Sequence, residues 1–118
     1  MSQTVLIIDD EADIRTFLSV VLRKAGYATL SAENGDEGLM MATKHKPDLI
    51  VLDLMMPRTS GPDLYRTLVD HKELCEIPVI IVSGLSTKKD LIPKEPVAFF
   101  DKPINPKAFI TAVKDALL

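Results

Sequence analysis

Short apolar runs alternate along the chain with stretches of helical period. Thr4–Ile8 and Leu49–Leu52 are almost wholly apolar and rich in aliphatic residues. Runs this short, with no polar alternation, are the pattern of strands buried on both faces. Val79–Val82 and Val97–Phe100 predict a fourth and a fifth strand, and Tyr27–Ser31 a weaker second one. Ile14, Phe17, Leu18, Val21, Leu22 and Ala25 fall on one face of a first helix, which Gly26 stops. Asn34 or Asp36 caps a second helix that runs towards Lys46 and ends at Pro47. Gly61-Pro62 opens a third helix carrying Leu64, Tyr65, Leu68 and Val69. Asn105 followed by Pro106 starts a last helix, whose inward stripe is Phe109, Ala112, Val113, Ala116 and Leu117.

Strands alternating with helices imply a parallel sheet with right-handed crossovers and helices on both faces. The fold class is α/β, doubly wound. One crossover breaks the rhythm. Between the fourth and fifth strands, Ser86–Ile92 has room for barely two helical turns before Pro93 and Pro96 forbid continuation. The fourth helix is therefore expected to be short or missing.

The 118 residues suit one domain spanning 1–118, large enough to bury a core without metal or disulfide staples. A net charge of −3 offers no basic footprint, so direct nucleic-acid binding is not expected. The one cysteine, Cys75, excludes an internal disulfide framework and fits a reducing, cytoplasmic setting. No apolar run approaches the length needed to cross a bilayer, and the N-terminus lacks a signal-peptide layout, so no membrane role is expected.

In an open parallel sheet, ligands bind beyond the carboxyl ends of the strands. Asp9, Asp10 and Glu11 follow the first apolar run, Asp53 the third, Ser83 and Gly84 the fourth, and Asp101, Lys102 and Pro103 the fifth. Carboxylates gathered that closely cannot all stay ionised without compensation. Mg²⁺ is the natural remedy, because it takes oxygen ligands from one or two carboxylates, water and phosphate. Lys102 adds a fixed positive charge. A carboxylate between Mg²⁺ and an ammonium can attack a phosphoryl group and hold the acyl phosphate formed, with Ser83 bonding a phosphoryl oxygen. Each residue also fits an ordinary role taken alone. Asp9 and Asp10 fit a cap on the first helix, Asp53 a turn before Pro57, and Ser83-Gly84 and Lys102-Pro103 exposed loop starts.

The segments VLIIDDEADIR (Val5–Arg15), PDLIVLDLMMPRTSG (Pro47–Gly61), PVIIVSG (Pro78–Gly84) and AFFDKP (Ala98–Pro103) resemble the receiver domain of two-component response regulators, CheY-like, over essentially the whole chain. The resemblance implies a flavodoxin-like five-stranded sheet of order 2-1-3-4-5. It implies Asp53 as phospho-acceptor, Asp9 and Asp10 as the metal-holding pair, and the Met55 carbonyl as a further Mg²⁺ ligand. Ser83 and Lys102 then contact the phosphoryl group, Phe99 takes the aromatic switch position, and the Lys102–Pro103 peptide is often cis. A histidine kinase or histidine phosphotransfer protein is the implied donor, and the downstream effector is unknown. In similar domains, positions two after the acceptor and two after the hydroxyl border the path of hydrolytic water. Here they are the bulky Met55 and Leu85, which implies slow self-dephosphorylation.

Two features depart from the family pattern. Lys102 follows Ser83 by only 19 positions, about one helical turn short, which puts the usual output face of fourth helix, fifth strand and fifth helix in doubt. Partner contact is then expected on the first helix or on the loops around the pocket. No effector segment follows the last helix, which fits either a stand-alone receiver or one excised from a larger protein. The leading expectation is a signalling switch that catalyses only its own phosphorylation and dephosphorylation. The alternatives are a receiver-like interaction module with phosphate-independent output and an aspartyl-phosphate phosphatase. The phosphatase reading lacks a second aspartate at position 55. Flavin binding is disfavoured because an Asp-Asp-Glu loop repels phosphate unless metal intervenes.

Overall fold

The continuous apolar strands are covered on both sides. In the computed structural model, which describes residues 3–56, 59–84 and 96–118 and at 55 and 59–62 the backbone alone, the chain alternates strand and helix. The elements are β1 (Thr4–Ile8), α1 (Ala12–Lys24), β2 (Ala28–Ala32), α2 (Gly35–His45), β3 (Leu49–Asp53), β4 (Met55–Met56), β5 (Thr59–Ser60), α3 (Gly61–Asp70), β6 (Val79–Ser83), β7 (Ala98–Asp101) and α4 (Pro106–Ala116). The main sheet runs β2-β1-β3-β6-β7 with every pairing parallel, which is the order 2-1-3-4-5 counted over its five strands. β4 and β5 form a separate antiparallel ribbon that no periodicity in the sequence announces.

Successive strand residues point to opposite faces, so each central strand feeds two cores. Leu6, Ile8, Ile50, Leu52 and Ile81 pack in a cluster with Ala42 of α2 and Leu64, Tyr65 and Leu68 of α3. Val5, Ile7, Val51, Ile80 and Val82 pack with Leu18 and Leu22 of α1 and Phe109 and Val113 of α4. Each aliphatic side chain fully removed from water contributes about 1.5–3 kcal/mol, which explains why these strands tolerate no polar alternation.

The helix termini follow the predicted chemistry. Asn34 is the cap of α2, its side chain accepting from the Glu37 N–H, while Asp36 lies in the first turn. Asn105 caps α4 by accepting from the Ala108 N–H, with Pro106 in the first helical position. Gly26 leaves α1 at a φ of 98°, a left-handed conformation that glycine adopts without a Cβ clash. The predicted inward face of α1 is too wide. Phe17 is 38% exposed, because Leu18 and Leu22 already fill the space against the sheet. Phe100 joins the α1–α4 side, meeting Phe109 edge to face at 5.9 Å, and Phe99 packs on the α2–α3 side. The short or missing fourth helix expected from Ser86–Ile92 and Pro93 lies outside the described residues.

Candidate functional site

Parallel pairing places the carboxyl ends of β1, β3, β6 and β7 on one edge of the sheet. Asp9 follows β1 directly and is 2% exposed, and Asp53 ends β3 at 1%. Ser83 ends β6 and is fully buried, and Lys102 follows β7. The Asp9 N–H donates to the Ala32 carbonyl at 3.1 Å, and the Lys102 N–H to the Ser83 carbonyl at 2.9 Å, so the backbone itself fixes both loop starts. The Lys102–Pro103 peptide is cis.

The Lys102 ammonium lies among three carboxylates. Its Nζ is 2.9 Å from Glu11 Oε1, 3.1 Å from Asp9 Oδ2 and 3.4 Å from Asp53 Oδ2. The Lys102 side chain is 15% exposed, so this is a largely desolvated ion cluster. Burial alone would lower the Lys102 pKa, but its bonds to Glu11 and Asp9 and the charges of Asp53 and Asp9 hold it above the usual lysine range. Asp9 is pushed above the ordinary carboxylate range by burial. The Glu11 N–H on its Oδ1 at 2.9 Å and the Lys102 ammonium oppose that push without overcoming it.

Oxygen atoms of Asp9, Asp10, Glu11 and Asp53 lie within 4.8 Å of one another. One ammonium does not neutralise four carboxylates. Moreover, Asp10 Oδ1 is buried and has no hydrogen-bond partner among the described residues. A buried carboxylate oxygen without a donor is costly, and a hard divalent cation with oxygen ligands removes that cost. The donor set fits Mg²⁺. The Met55 carbonyl belongs to the two-residue strand that starts two positions past Asp53.

The ordinary roles of these residues fare poorly. Neither Asp9 nor Asp10 is the cap residue of α1. That position is Glu11, whose side chain makes no cap bond. Asp53 is a buried strand residue, not a turn residue. Glu11 was visible in the sequence as a third acidic residue, but its reach to Lys102, 91 positions away, was not. Arg15 was missed altogether. Its Nη1 donates to the Asp9 carbonyl at 2.7 Å, bracing the acidic loop from the first turn of α1, and no local pattern marks such a bond. Phe99 is half-buried on β7, opposite Ile81 in register. The side chains of Met55 and Leu85, expected to border the water path, lie outside the described residues.

The family model described as "Response regulator receiver domain" matches residues 5–114. The chain belongs to that family. Over 99% of its length, this receiver domain is 36% identical to the phosphate regulon transcriptional regulatory protein PhoB of Pseudomonas aeruginosa, and it spans 52% of that protein. It is 35% identical to the polar-differentiation response regulator DivK of Brucella anthropi, covering 99% of this chain and 98% of DivK. Among solved structures, the chemotaxis protein CheY4 of Vibrio cholerae superposes with a TM-score of 0.88 at 25% identity, over 99% of this chain and 100% of that one. The signal receiver domain of a histidine kinase from Syntrophus aciditrophicus gives 0.89 at 30% identity, over 98% and 90%. The receiver thus carries the flavodoxin-like fold of its CheY-like neighbours. Among the described residues, no helix is long and apolar enough to cross a membrane.

Proposed function

We propose that this receiver is a phosphorylatable switch that accepts a phosphoryl group on Asp53 from a histidine kinase or a histidine phosphotransfer protein. The observation that carries this reading is the placement of Asp53. Its carboxylate is 1% exposed, faces Lys102 at 3.4 Å, and shares a 4.8 Å cluster with Asp9, Asp10 and Glu11. Asp9, Asp10, Asp53 and the Met55 carbonyl would hold Mg²⁺, which when bound supplies charge neutralisation for the phosphoryl oxygens.

An Asp53 carboxylate oxygen attacks phosphorus. A new P–O bond forms as the donor's P–N bond breaks, and the leaving imidazole nitrogen keeps the electron pair. Lys102, held by the Ser83 carbonyl at its backbone, turns its ammonium to the incoming phosphoryl oxygens. The Ser83 hydroxyl donates to another of them. Phe99, half-buried on the neighbouring strand, is the side chain whose packing reports the change towards β7. The downstream effector is a protein or domain that reads that surface. Such a switch turns over nothing beyond its own acyl phosphate, so it is not an enzyme in the metabolic sense. The single cysteine, Cys75, supports a cytoplasmic setting.

The test is incubation with Mg²⁺ and acetyl phosphate followed by intact mass. One added phosphoryl group on the wild type, and none on Asp53→Asn, is the expected result. An unmodified wild type under acetyl phosphate and under a panel of histidine kinases would refute the reading.

A further inference from the structure

Lys102 has three N–H donors, and three carboxylate oxygens stand within 3.4 Å of its nitrogen. A phosphoryl group formed on Asp53 inherits that residue's contact, so a further phosphoryl oxygen that recruits this ammonium must displace Asp9 or Glu11. These two are not equivalent. The Asp9 side chain is 3% exposed, so it would be left as a buried, uncompensated charge if it lost the lysine. The Glu11 side chain is 56% exposed, and water takes up its charge at little cost. Yet Glu11 makes the shortest of the three contacts, at 2.9 Å. The nearest partner is also the cheapest to release.

We propose that Glu11 is a positioning residue, an exchangeable counter-ion that holds the Lys102 ammonium over the acidic loop until a phosphoryl group on Asp53 takes its place. The proposal rests on the phospho-acceptor reading of Asp53 and goes beyond it by naming the contact that gives way to a second phosphoryl oxygen. Glu11 competes with the phosphoryl group for one donor, so it weakens phosphoryl binding and sharpens the difference between the two states. Its carboxylate is tied to Lys102 in one state and swings to solvent in the other. Because the Glu11 side chain makes no cap bond to α1, its replacement by glutamine removes the charge without uncapping the helix.

Beryllofluoride, a phosphoryl mimic, is titrated into wild type and Glu11→Gln at saturating Mg²⁺ by calorimetry, and the ¹³Cδ resonance of Glu11 is followed in the wild type. Glu11→Gln is expected to bind beryllofluoride about threefold to fivefold more tightly, the scale of one exposed charge pair. The Glu11 resonance is expected to move to its solvent-exposed position on binding. Equal or weaker affinity in Glu11→Gln overturns the proposal while leaving the Asp53 reading intact. Failure of both proteins to bind beryllofluoride overturns the acceptor reading and this proposal with it.

Discussion

The backbone N–H of Lys102 donates to the carbonyl oxygen of Ser83 over 2.9 Å. Ser83 stands opposite Asp101 in the β6–β7 register, so this bond closes the ladder one residue further, at the edge where the acidic cluster lies. The 19-position interval between these residues is shorter than the family pattern, but the interval does not decide where the ammonium sits. The register does. With its backbone held by β6, Lys102 reaches across to oxygens of Asp9, just past β1, and of Asp53, at the end of β3.

The first prediction follows from that reach. Lys102→Met removes the cation shared by Asp9, Glu11 and Asp53 and leaves two nearly buried carboxylates facing each other. Breaking a buried pair from one side costs about 3 kcal/mol. In chelator at pH 7, the urea midpoint of the variant is expected to fall accordingly. The deficit should shrink as pH drops and the carboxylates protonate. Equal midpoints for the two proteins would show that the ammonium neutralises nothing.

Asp9→Asn is expected to act in the opposite direction. Burial holds the Asp9 pKa above its unfolded value of about 3.9. The folded state therefore binds the proton more tightly than the unfolded state does. The stability tied to that proton is complete below the unfolded pKa and is lost as pH rises through the folded one. At pH 7, without metal, the neutral amide should leave the protein more stable than the wild type, while its oxygen still accepts from the Glu11 N–H. Paired urea titrations at pH 7 and pH 3.5 check this, with the gain present at the first and absent at the second.

Metal linkage isolates Asp10. A ligand at ten times its dissociation constant stabilises the folded state by about 1.4 kcal/mol. That corresponds to about 5 °C for a domain of this size. Mg²⁺ should raise the melting temperature of wild type by this amount, and chelator should reverse it. Asp10→Asn, which takes the charge from the oxygen lacking a donor, should abolish most of the rise at the same Mg²⁺ concentration. A full rise in the variant would remove Asp10 from the donor set.

How much of this was legible in the sequence depends on the range of each interaction. The five sheet strands could be read because each is a local apolar run, and no end shifts by more than one residue in the structure. Asp9, Asp53, Ser83 and Lys102 could be placed together because parallel strands bring their carboxyl ends to one edge whatever the side chains do. Glu11 and Arg15 could not be assigned, since their roles depend on where a long side chain ends, not on where its backbone lies. Phe17 was misplaced because a 3.6-residue stripe does not reveal how wide the covered face is. The β4–β5 ribbon escaped because two residues are too few to show a period.

A close approach of α2 to β1 yields the last prediction. Gly38 lies in α2 with no positive φ, so conformational freedom does not explain a glycine there. Space does. A Cβ at this position would meet Ile8 Cδ1 at 2.6 Å and its Cγ1 at 3.0 Å, so α2 rests directly on the end of β1, immediately before Asp9. Ile8 is fully buried and β-branched, so it has little freedom to turn away. Gly38→Ala gains about 1 kcal/mol of helix propensity but meets an overpacking cost of about 1–3 kcal/mol. The net result should be a melting temperature several degrees lower. Ile8→Val removes Cδ1 and alone costs about 1 kcal/mol. The double variant should therefore be less destabilised than the two singles predict together, by about 1 kcal/mol. Strict additivity in that cycle would mean that α2 moves off the strand rather than pressing on Ile8.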